Sequence, residues 1–102
     1  MSEPRPRWGS DPLTSIRQER AYQFAKYPGG AAHDNAHTYA ELALILGQEY
    51  GEAVDELKRL QWPEDFPTYS AMNVLGRARS ELIQVAAVAV AIIERIDREA
   101  AK

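Results

Sequence analysis

The chain contains no cysteine, which excludes disulfide staples, thiolate nucleophiles and sulfur-liganded zinc. That absence accords with a reducing compartment, and a cytoplasmic location is the expectation. Basic residues are in the minority, 12 Lys and Arg against 15 Asp and Glu, for a net charge of -3. Proteins that grip a nucleic-acid backbone carry a basic face, so nucleic acid is not expected as a partner. A small phosphorylated ligand stays open, because a bound metal reverses the local sign. Long apolar runs are also missing. The longest, Val85–Ile93, falls well short of the roughly 20 residues that span a bilayer, so no membrane partner is expected. The start, Met1-Ser2-Glu3-Pro4-Arg5-Pro6-Arg7, is polar and proline-rich, and no signal peptide is expected there. Neither strand-like alternation nor an internal repeat stands out.

What is present reads as one all-α domain. A length of 102 residues suits a single domain with a modest core. Hydrophobic residues at 45% and charged residues at 26% are ordinary for a soluble globular chain. Residues 1–12 carry three prolines and read as a flexible tail, with Trp8 as an anchor candidate. Residues 13–102 form the helical domain. A first helix is expected from about Leu13 to Tyr27, with Leu13, Ile16, Arg20, Phe24 and Tyr27 on one face, and Pro28-Gly29-Gly30 ends it.

Thr38-Tyr39-Ala40-Glu41 has the form of a capping box, Thr at the cap and Glu three residues on, and opens a second helix. Its apolar stripe is Leu42, Leu46, Ala53, Leu57 and Leu60, and Glu49 falls on the same seam. Gly47 and Gly51 lie four apart in it, where each costs roughly 1 kcal/mol of helix propensity relative to Ala. Such a pair lets another helix or a ligand approach closely. The stretch Gln61–Pro67 breaks the helix, and its aromatic residues could fold back as a lid or plug. A third helix is expected from Thr68 or Ser70 to near Ala100, with a heptad-like seam of Leu82, Val85, Ala89, Ile92 and Ile96. The all-apolar run within it must be buried on more than one side. Two other helices can hardly enclose it, so a second protomer is expected to complete a helix bundle.

The most unusual feature is Glu49 with Glu52. Residues three and four apart are neighbours on a helix. The neighbours of Glu49 are Ile45, Leu46, Glu52 and Ala53; those of Glu52 are Gln48, Glu49, Asp55 and Glu56. No basic side chain on the same helix neutralises them, and like charges at this spacing repel. A cation from elsewhere, a metal or a basic group, is therefore expected. Asp55 and Glu56 differ, because Lys58 and Arg59 follow at three- and four-residue spacings, and a solvated, salt-bridged face is their expected role.

Glu49-Tyr50-Gly51-Glu52 followed by Glu81-Leu82-Ile83-Gln84 resembles the paired E-x-x-E and E-x-x-D motifs of the all-α nucleotide pyrophosphohydrolases, the MazG-like superfamily. Residues 53–80 separate the two motifs, at the long end of the family's range. The span from about Ile16 to Asp97 is similar to small phage and bacterial members of that group. The resemblance implies a helical protomer that pairs into a dimer or tetramer and binds Mg2+, with Mn2+ as a substitute, between its two motif helices. It implies hydrolysis of a nucleoside triphosphate to the monophosphate and pyrophosphate. Carried over by position, Glu49, Glu52 and Glu81 are the metal ligands, with Glu52 also the expected general base. Gln84 stands where the family has Asp. It offers a carbonyl oxygen without charge, as a metal ligand or a support to one. Three glutamates suffice in principle for Mg2+, which keeps waters and leans on few carboxylates. The alternative reading, favoured by Gln84, is a helical nucleotide-binding or assembly module with little or no catalysis.

Lys26, His33 and His37 are candidates for phosphate or nucleotide contacts, with Arg17 and Arg20 behind them. For His37 and Asp34, ordering the loop before the second helix is the leading role. Trp62, Phe66 and Tyr69 are expected to pack together, with base stacking as the lesser expectation. Glu81 has Arg77 one turn back, so a simple ion pair competes there with metal ligation.

Overall fold

The computed structural model describes residues 11–26, 36–65 and 71–102, the side chains of residues 25, 26 and 71–73 excepted. These form three helices: α1 Pro12–Lys26, α2 Tyr39–Gln61 and α3 Ala71–Ala100. No strand occurs among the described residues, and the all-α expectation holds. No helix of the described residues is long and apolar enough to cross a membrane. Helix α3 packs against both α1 and α2, and its contact with α2 is the more extensive.

The ends of the helices follow local chemistry. Asp11 caps α1, its carboxylate accepting from the Thr14 amide at 2.8 Å and hydroxyl at 2.7 Å. Those bonds hold the Asp11 carboxyl below its ordinary range. The capping box at α2 is present in full. The Glu41 amide donates to the Thr38 hydroxyl at 3.0 Å, and the Thr38 amide donates to the Glu41 carboxylate at 2.8 Å. At the other end the Trp62 amide reaches the Lys58 carbonyl, and Pro63–Asp65 forms a single 3-10 turn. Trp62 is half exposed beside Val54, Leu57 and Leu60, so it does not plug the fold.

Helices α2 and α3 run antiparallel. The Arg95 guanidinium donates to the His37 carbonyl, Glu52 meets Glu81, and Arg77 meets Glu56. As the residue number rises on one helix it falls by nearly the same amount on the other. Arg95 is buried and also lies over the Tyr39 ring, 4.6 Å from its centre, and so ties the start of α2 to the far end of α3.

Two apolar expectations are corrected. On α1, Leu13 and Phe24 are exposed at 65% and 48%, while Ser15 and Glu19 are fully buried. The helix docks through polar contacts: Arg79 donates to the Ser15 hydroxyl at 3.1 Å, and Arg20 pairs with Glu94 at 2.7 Å. Hydrogen bonds to α3 fix its rotation, because its apolar residues form too weak a stripe to compete. On α3, Leu82 and Ile96 of the expected seam are exposed, and the buried residues are Val74, Ala78, Ile83, Ala87 and Arg95. A helix covered by two neighbours buries two faces, and one heptad seam does not describe it. Leu75, Leu82, Ile93 and Ile96 then share an exposed face that the other described residues do not cover. Among the described residues Gly47 and Gly51 make no close approach, since a methyl group at either position would touch nothing there.

Candidate metal centre

Helix α2 carries Glu49 and Glu52 one turn apart, and antiparallel packing lays Glu81 of α3 against them. Each residue offers one carboxylate oxygen, and the three oxygens lie within 4.8 Å of one another. Among the described residues this is the one such group of three or more potential ligands. Glu49 and Glu81 are half-buried and Glu52 is exposed, so the cluster opens to solvent on the Glu52 side.

The electrostatics are unfavourable as they stand. The Glu81 carboxyl is pushed up to about 7. Burial is the main cause, followed by the charge of Glu52, the hydrogen bond the two carboxyls share, and the charges of Glu49 and Glu56. Oxygen Oε2 of Glu81 is buried without a hydrogen-bond partner. Burial and the neighbouring carboxylates therefore favour the protonated form of Glu81. Three carboxylate oxygens this close form a group of potential ligands for a cation.

The remaining sequence candidates divide. Gln84, half-buried one turn beyond Glu81, donates its amide to the Ser80 hydroxyl at 3.3 Å, along its own helix. Arg77 is turned to Glu56, with Nε 3.3 Å from the carboxylate. His37 is not brought to the cluster. It precedes the first turn of α2, about three turns or roughly 16 Å along the axis from Glu49, with Nδ1 4.0 Å from the Glu41 carboxylate. Arg20 is engaged with Glu94, more than three turns along α3 from Glu81, and likewise stands away from the carboxylates. His33, Phe66, Tyr69 and the Lys26 side chain lie outside the described residues.

At Glu56 the expected salt bridge to Arg59 is present at 2.7 Å, but the side chain is buried, not solvated. Asp55 is exposed, but Glu56 is 8% exposed and accepts from two guanidinium groups, Arg59 at 2.7 Å and Arg77 at 3.3 Å. The sequence held a sign of this. Glu56 follows Glu52 by one turn on the same face, and Arg77 precedes Glu81 by one turn. No protein-family model, curated protein or solved structure matches the chain.

Proposed function

We propose that the protein is a Mg2+-dependent pyrophosphohydrolase of nucleoside triphosphates, releasing the monophosphate and pyrophosphate. The observation that carries the reading is the convergence of Glu49, Glu52 and Glu81 from two helices within 4.8 Å. These are the positions that resemble the paired motifs of the MazG-like enzymes. Glu49 and Glu81, half-buried, are suited to hold the ion, and Glu52 to join them from the solvent side. A divalent ion there supplies charge neutralisation for the phosphates and an acidified water. Glu52, the most open of the three, is the group placed to take a proton from water as it attacks. The uncovered face of Leu75, Leu82, Ile93 and Ile96 supports a second copy of the chain as its cover, giving a homo-oligomer. Pool-cleaning chemistry in a cysteine-free chain fits the cytoplasm.

A non-catalytic nucleotide-binding or assembly module is the second reading. Gln84 favours it, because that position has no charge and its amide is engaged with Ser80. The deciding experiment incubates a panel of standard and modified NTPs and dNTPs with Mg2+ or Mn2+ and detects pyrophosphate. Turnover by the parent chain and its loss in Glu52→Gln, with helicity retained, is the expected result. Equal turnover in Glu52→Gln would remove the ligand assignment, and no turnover with any nucleotide would favour the module.

A further inference from the structure

We infer that Glu56 and Arg77 are positioning residues: their ion pair sets the register of α2 against α3 and so brings Glu52 within reach of Glu81. The part of this inference that concerns metal affinity rests on the function proposed above; the register itself does not. Glu56 lies one turn beyond Glu52 on α2, and Arg77 one turn before Glu81 on α3. In an antiparallel pair the ion pair and the carboxyl pair are thus adjacent rungs. The bond from Arg59, at 2.7 Å and within α2, fixes the Glu56 carboxylate. The bond from Arg77, at 3.3 Å, carries it across to α3.

The neighbouring rung cannot hold itself in place. Glu49, Glu52 and Glu81 are three carboxyls with one oxygen each within 4.8 Å of one another, so among themselves they supply no ion pair across the helices. The apolar packing nearby gives little resistance to sliding. Ala53, Val74 and Ala78, the buried apolar residues flanking the two rungs, are small, and small side chains interlock weakly. A one-residue slip of α3 would turn Glu81 by about 100° away from the cluster. Arg95, on the His37 carbonyl, holds the opposite end of α2, several turns away. Specifying register is the best-attested service of a buried polar pair, and the Glu56–Arg77 pair is placed to perform it.

The chain has no native cysteine, so the approach can be measured directly. Glu52→Cys with Glu81→Cys is treated with a short thiol-to-thiol cross-linker, with Glu56 intact or changed to Gln, at a temperature where circular dichroism shows equal helicity. Cross-linking several-fold slower in the Glu56→Gln background is expected, with partial recovery in Glu56→Asp. Should Glu56→Gln fail to fold, Glu56→Met with Arg77→Met keeps side-chain volume while removing the pair, and the same slowing is expected. In chains with the three glutamates intact, Glu56→Gln should weaken Mn2+ binding by calorimetry about tenfold, the low end for groups that orient metal ligands. A purely structural contribution would lower the melting temperature and leave the cross-linking rate unchanged at equal helicity. An unchanged rate in both Glu56→Gln and the double Met variant overturns the inference. Absence of Mn2+ binding in the parent, with cross-linking still slowed, removes the metal reading and leaves the register assignment standing.

Discussion

Glu56 and Glu81 lie one turn apart along the same helix–helix contact and have opposite surroundings. Glu56 is enclosed by two guanidinium groups, at 2.7 and 3.3 Å. Glu81 faces Glu52 and Glu49, and its carboxyl is raised to about 7, mainly by burial and then by those charges. Burial of a carboxylate is therefore no guide to its role; the charge of what surrounds it is. The Glu56 centre is complete within the chain. Among the described residues Glu81 has no basic partner to match those of Glu56: its carboxyl is raised by burial and by neighbouring carboxylates, and one oxygen each of Glu49, Glu52 and Glu81 lie within 4.8 Å of one another. A structural ion pair and a candidate metal centre share one interface, and the first steadies the second.

The strongest way to break this contrast is to unbalance the complete centre. Glu56→Ala leaves two partly buried guanidinium groups facing one another. Removing one partner of a fully buried pair costs roughly 3–5 kcal/mol, and partial exposure of Arg77 lowers the expected loss to about 2 kcal/mol, read by urea unfolding. The next test removes the imbalance at Glu81. Its folded-state value lies above the ordinary 4.5, so between about pH 4.5 and 7 the folded chain binds the extra proton. The Glu81 contribution to metal-free stability is accordingly complete below about pH 4.5, is lost as pH rises from there to about 7, and changes little above that. Glu81→Gln should flatten that slope and stabilise the metal-free chain at pH 8 by about 1 kcal/mol, a value discounted for solvent screening. Melting temperatures that rise with pH in the parent would contradict the account. Added Mn2+ should reverse the trend, because binding at a carboxyl releases its proton.

Gln84→Asp sharpens the contrast by adding a fourth carboxylate beside Glu81. Several-fold tighter Mg2+ binding by titration calorimetry is expected, and unchanged or weaker affinity would place residue 84 outside the centre. Thr38→Ala supplies a control remote from both centres. Loss of the cap should cost about 1 kcal/mol in urea unfolding, with cross-linking between positions 52 and 81 unaltered.

Much of this was legible in the sequence because it depends on local chemistry. The capping box places the start of α2, and proline ends it after Gln61. Helical spacing puts Glu49 beside Glu52, and the second motif points to Glu81 as their partner. The rotation of α1 was not legible. Leu13 and Phe24 suggest an apolar face, but hydrogen bonds from Ser15 to Arg79 and from Arg20 to Glu94 cross distances that periodicity does not encode. The buried faces of α3 were misread for a related reason, since a helix between two neighbours has no single seam. Glu56 was assigned to solvent because its partner on the same helix, Arg59, is visible at short range, whereas Arg77 becomes its partner only once the helices pack.

Gly47 and Gly51 stand on α2 with open space where a side chain would begin. Glycine costs a helix roughly 1 kcal/mol relative to alanine, and no contact among the described residues accounts for that cost here. Both glycines fall on the helical turns that carry Glu49 and Glu52. A methyl group at either glycine would meet no atom of the described residues, so alanine there would stiffen the turns beneath the acidic cluster while leaving its surroundings in place.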